Sequence, residues 1–196
     1  MTGRLAAAAF VFAVSATPAL AHVGALGPGS LAAGLSHPFL GLDHVLVMLA
    51  VGLWAALLGA QGQRSAVWLV PSAFIVAMTL GFVMALLGVA LPFVEPTILA
   101  SVVVLGLLAA AAYTVPAAAG MALVASFAVF HGYAHGADLG ASDALAFGFG
   151  FAASTALLHL AGLGLGRVLG SPAGRIVIRL IGGATALAGL WLAVGA

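Results

Sequence analysis

Apolar positions run along this chain in stretches of roughly twenty residues, separated by short breaks of Gly, Pro or Arg. That length is what a helix needs to cross about 30 Å of hydrocarbon. No alternation of polar and apolar positions suggests a barrel. After a Gly/Pro-rich lead through residue 35, the pattern predicts six spans at about 38–60, 66–91, 96–114, 116–136, 143–168 and 175–195. Short connections make sequential spans antiparallel neighbours, so the expected fold is an all-α integral membrane protein, a six-helix bundle forming one domain over 22–196. Pro71 falls inside the second span, where its ring removes a backbone hydrogen bond and favours a kink. Glycines four apart, Gly132 with Gly136 and Gly162 with Gly166, allow close helix approach in lipid.

The first apolar run differs from the others. Arg4 precedes a short stretch from Leu5 to Ala16, Pro18 breaks it, and the small residues Ala19 and Ala21 offer a cleavage site. Residues 1–21 therefore read as a cleavable signal peptide, with an uncleaved anchor helix as the alternative.

Composition agrees with a membrane protein: 65% of the 196 residues are hydrophobic and 5% are charged. With no cysteine, the chain has no disulfide framework or thiolate metal site. A net charge of +1 gives no basic patch for nucleic acid. An exported N-terminus puts Arg64, Arg167, Arg175 and Arg179 on the cytoplasmic side, as the positive-inside rule requires. Asp43, Glu95, Asp138 and Asp143 fall at the opposite face, joined by His22, His37, His44, His131 and His135. A mouth of carboxylates and imidazoles attracts cations.

Two constellations carry candidate chemistry. In "FHGYAHGAD", His131 and His135 lie one helical turn apart, with Asp138 a turn further along the same stripe. A single intramembrane histidine would read as a hydrogen-bonded packing residue; the pair followed by an acid reads as a metal or proton station. In "SHPFLGLDHVLVM", Ser36 or His37 can cap a helix beginning at Pro38. Asp43 and His44 follow in the outer part of span one, where Asp43 can be a ligand or can orient the His44 ring. Met48, one turn deeper, reads as packing.

The remaining ionisable groups are open to two readings each. Asp143 suits an N-cap, and Glu95 suits either the dipole of span three or a vestibule for cations. His159, deep in span five, is an inner ion or proton station or a bonded core histidine. Cleavage after Ala21 would give His22 a free amine beside its imidazole, a chelate suited to late transition metals.

The segments "HPFLGLDH" and "FHGYAHGAD" resemble the two signature motifs of the HupE/UreJ family of nickel and cobalt permeases. The likeness extends to "EPTILASVVVLGLLAA" and "TALLHLAGLGLG", and to the signal peptide and six-span layout. Asp138 stands where the family pattern usually has Glu, keeping the charge on a shorter side chain. The resemblance implies uptake of Ni²⁺, or Co²⁺ in some members, across a bacterial inner membrane, with no resident cofactor. By motif position it implies His37, Asp43, His44, His131, His135 and Asp138 as metal-handling residues. Imidazole suits Ni, Co, Cu(II) and Zn, and does not choose among them. An intramembrane zinc hydrolase, with Ser101, Ser126, Ser154 or Thr155 polarising a substrate, is the alternative from another class, and haem held by histidine pairs is a third. The first lacks a Glu in an HExxH register. Oligomeric state is open.

Overall fold

The computed structural model describes residues 30–139 and 143–195, apart from the side chain of Asp138. The signal-peptide expectation, and His22 with it, lie outside the described residues. Seven helices follow in order: α1 Leu31–Ser36, α2 Leu42–Ala60, α3 Ala66–Leu86, α4 Val94–Ala111, α5 Ala117–Leu139, α6 Ala144–Val168 and α7 Pro172–Gly195. Among the described residues there is no strand. The six helices α2 to α7 are each long and apolar enough to cross a membrane.

The beginning of span one departs from expectation. The lead contains α1, whose N-terminus is capped by Ser30, its Oγ accepting from the Ala33 N–H at 3.0 Å. A single 3₁₀ turn at His37–Phe39 follows, and α2 starts only at Leu42. Gly41 is extended between them, and a Cβ there would sit 2.7 Å from Asp43 Oδ1 and 2.9 Å from His44 Nδ1. Glycine at this break lets the acid and imidazole fold back over the helix start. Asp143 occupies the N-cap position of α6, but its backbone is left-handed and its side chain makes no capping bond. Pro71 lies inside α3 as expected.

α2 is the central pillar. Of its span, 67% is buried within the bundle, against 28–39% for the other five. It packs on α3, α4, α6 and α7. The most extensive seams, α3 with α5, α4 with α7, α2 with α6 and α1 with α6, share one device. Each has a glycine on both sides, facing the other helix's backbone. A Cβ on Gly81 would lie 1.9 Å from Val129 O, and one on Gly132 would lie 1.7 Å from Met78 O. Gly52 and Gly162 do the same between α2 and α6, against His159 O at 2.1 Å and Leu49 O at 2.2 Å. Lipid tails provide no hydrophobic drive between helices, so such close backbone packing is a main source of cohesion. Outward faces carry bare apolar side chains such as Leu145, Val168 and Val194.

Polar bonds fasten the end where the chain turns from α2 to α3. Trp54 Nε1 donates to Tyr113 O at 2.9 Å, Gln61 Nε2 to Ala112 O at 3.0 Å, and Gln63 Nε2 to Val115 O. Arg179 Nε donates to Ala110 O at 2.8 Å at this same end. Asp43 and Glu95 sit at the other end, in the first turns of α2 and α4.

The glycine seam between α3 and α5 sets the position of the histidines on α5. Gly132→Ala is expected to lower stability by about 1–3 kcal/mol through overpacking. Gly183→Ala, where a Cβ meets nothing within 4 Å, is expected to change little. Thermal denaturation of both variants in detergent checks the difference.

Candidate metal centre

The residues of the two motifs converge. α2 contributes Asp43 and His44 in its first turn, the 3₁₀ turn contributes His37, and α5 contributes His131 and His135 from its C-terminal half. His135 Nε2 lies 2.6 Å from His44 Nε2, and His44 Nδ1 lies 3.0 Å from Asp43 Oδ2. The rings of His37 and His135 meet edge to face with centroids 4.4 Å apart. Those of His44 and His131 do the same at 5.0 Å. His44, His131 and His135 are buried, His131 completely, at 0% exposure.

With all three rings taken as neutral, the hydrogen bonds allow one placement of the protons. His44 donates its Nδ1–H to the Asp43 carboxylate, which leaves a lone pair on its Nε2. His135 must then donate its Nε2–H into that lone pair, so its own Nδ1 is bare. His131 follows the same logic. Ser101 Oγ donates its one proton to Ile98 O at 2.6 Å, so it can only accept from His131 Nε2 at 2.9 Å. Nδ1 of His131 and Nδ1 of His135 are both buried and unpartnered. An unmade hydrogen bond in the interior costs about 1–3 kcal/mol. Among the described residues, the cluster therefore presents two lone pairs whose desolvation no partner offsets.

Among the described residues, no three His, Asp or Glu side chains are arranged to hold a metal ion together. Within the cluster, the Nε2 atoms of His44 and His135 are bonded directly to each other. A tetrahedral ion with imidazole bonds of about 2.0–2.1 Å would hold two such nitrogens about 3.3 Å apart. Admitting it requires the rings to part by less than about 1 Å and His135 to give up the shared proton.

Aromatic rings enclose the cluster. Phe151 lies 4.5 Å from His135 and 6.2 Å from His37, and Phe147 lies 5.4 Å from His37, centroid to centroid. On the opposite side Phe74 lies 5.7 Å from His131. Such walls exclude water and strengthen the electrostatics within.

The other candidate residues fall elsewhere. Glu95 and Asp43 line one cleft of ≈ 320 Å³ together with Leu99, Trp191, Leu192 and Gly195. His159 is separate from the cluster, beyond Phe74, at a centroid distance of 5.1 Å from that ring. Asp138 belongs to the last turn of α5, and its side chain lies outside the described residues. Met48 is wholly buried in the core, as a packing residue would be. Ser101 is committed to Ile98 O and His131, a role that its place in an apolar run did not reveal. Phe74, Phe147 and Phe151 gave no signal among the chain's 11 phenylalanines.

Comparison with known proteins gives the same grouping. The family described as HupE / UreJ protein matches residues 10–192. Protein HupE of Rhizobium leguminosarum bv. viciae is 47% identical over 176 residues, covering 89% of this chain and 90% of that protein. No solved structure matches. This multi-pass helical chain belongs to the HupE/UreJ family of proteins related to nickel and cobalt transport.

Proposed function

We propose that the protein takes up Ni²⁺, with Co²⁺ as an alternative cargo, across the bacterial inner membrane, binding the ion between α2 and α5. The observation that supports this most directly is the meeting of His44 and His135, at 2.6 Å, from motifs 91 residues apart. His37, Asp43, His44, His131, His135 and Asp138 handle the ion. Imidazole with carboxylate suits borderline divalent ions, whereas Mg²⁺ and Ca²⁺ prefer oxygen cages.

In this scheme a signal peptide of residues 1–21 is removed, and the mature N-terminus and the acidic end face the periplasm. The arginines then lie in the cytoplasm. The cleft shared by Asp43 and Glu95 concentrates cations beside the cluster, and His22 adds ligands at the mouth. Asp43 both lines the cleft and accepts the His44 Nδ1–H. An approaching cation meets the carboxylate first and the imidazole nitrogens next, exchanging its water in stages. The sequence has no GxxxxGK[ST] loop for nucleotide phosphates. The membrane potential alone, worth about 2.3 kcal/mol per charge per 100 mV, favours inward movement of a divalent cation.

Uptake of radiolabelled nickel by cells expressing the intact chain is expected to fall at least tenfold in the double variant His131→Ala, His135→Ala at matched membrane levels. Equal uptake in both would refute the assignment, and competition by cobalt ranks the two cargoes. Ser101→Ala removes the acceptor that holds the His131 tautomer. It is expected to raise the half-saturating nickel concentration about tenfold, the usual scale for a group that orients a ligand; an unchanged value would rule that role out.

A further inference from the structure

We propose that His159 is a second, inner binding station for the transported ion, separated from the outer histidines by the side chain of Phe74. The proposal rests on the transport role above and adds a step to it.

Depth supplies the first support. At about 1.5 Å per residue, His131 lies about 12 Å from the acidic end of α5, Phe74 about 18 Å from that end of α3, and His159 about 22 Å from that end of α6. Phe74 stands level with His159 across the α3–α6 register, with its ring reaching His131 on the other side. Ring contacts agree, for Phe74 is tilted at 50° against His131 and stands edge to face at 90° against His159. All three rings are buried, with Phe74 at 0% and His159 at 2% exposure.

The second support is the state of the imidazole. Both ring nitrogens of His159 are buried and without a hydrogen-bond partner, and among the described residues no other histidine is left with both unmatched. A neutral ring has one donor and one acceptor, so each is stranded. A leucine would fill the same space with no such penalty. The ring keeps its edge-to-face contact with Phe74, but its two nitrogens are matched only when something binds them. The backbone around it is held firmly, since the His159 carbonyl lies against Gly52 at the α2–α6 glycine seam.

Further donors lie next to it. Thr155, one turn along α6 on the same face, places Oγ1 3.7 Å from Met78 Sδ, and Met78 lies one turn from Phe74 on α3. The facing pairs Phe74 with His159 and Thr155 with Met78 keep one antiparallel register between α3 and α6. Imidazole, hydroxyl and thioether together suit a borderline or soft divalent ion better than a hard one. The Phe74 ring lies against both stations, 5.7 Å from His131 and 5.1 Å from His159, centroid to centroid. A turn of that side chain would let the ion leave His131 as it gains His159, so that transfer proceeds in discrete steps rather than through an open pore.

The test combines binding with transport. Protein in lipid nanodiscs is titrated with Co²⁺, followed by visible absorption, and nickel uptake is measured in cells for the same variants. His159→Leu and, as a second substitution that keeps a polar side chain, His159→Gln are each expected to retain Co²⁺ binding at the outer cluster within about twofold and to lose at least tenfold in uptake. Uptake within twofold of the unsubstituted chain in either inserted variant overturns the inner station. If His159→Leu also loses Co²⁺ binding, His159→Gln decides by the same criteria, and loss of both properties in His159→Gln also overturns it. The transport reading fails separately: the unsubstituted chain would then take up no nickel, and the inner station would fall with it.

Discussion

Two imidazoles joined Nε2 to Nε2 at 2.6 Å, buried near the acidic end of an apolar bundle, depend on helices remote in sequence being held in a fixed register. The register comes from glycine. α5 is locked to α3 by Gly81 and Gly132, and α2 to α6 by Gly52 and Gly162, each where no side chain could intervene. His131 precedes Gly132 directly, so the residue that closes the seam also fixes where the imidazole projects. Asp43 then polarises the pair through His44 Nδ1, and Ser101 anchors His131 from α4. The site is thus built from side chains on three helices and a 3₁₀ turn, none of which could hold it alone.

Electrostatic sorting along the bundle gives the arrangement a direction. Acids lie at one end, with Asp43 and Glu95 sharing a cleft, and Arg179 is bonded to the α4 terminus at the other. Between these ends the buried polar side chains among the described residues are imidazoles and hydroxyls, with aromatic rings packed against the histidines. Burying such groups is unfavourable unless they are matched, and the unmatched nitrogens are those on His131, His135 and His159. That pattern fits a pathway whose stations are completed by the cargo.

Much of this was legible in the chain because apolar runs of membrane length leave few alternatives. The six long helices followed directly, and the two histidine motifs were picked out separately, by spacing and by resemblance. The break at Gly41 was not legible, because the extended conformation there answers to the side chains of Asp43 and His44 rather than to any local helix signal. α1 was hidden in a Gly/Pro-rich lead, although Ser30 marks its cap. Asp143 does stand at a helix start, as its position suggests, but caps nothing with its side chain. The roles of Ser101 and Phe74 depend on how α4 and α3 are rotated about their own axes, and near-uniform apolarity around a membrane helix leaves that rotation unspecified.

The central claim is that histidines from both motifs bind one ion. Nickel K-edge X-ray absorption on the loaded protein tests it most directly. The account predicts a first shell containing at least two imidazole nitrogens, with outer-shell ring scattering that weakens when either His44 or His135 is replaced. An all-oxygen shell, or a spectrum unaltered by both replacements, would contradict it.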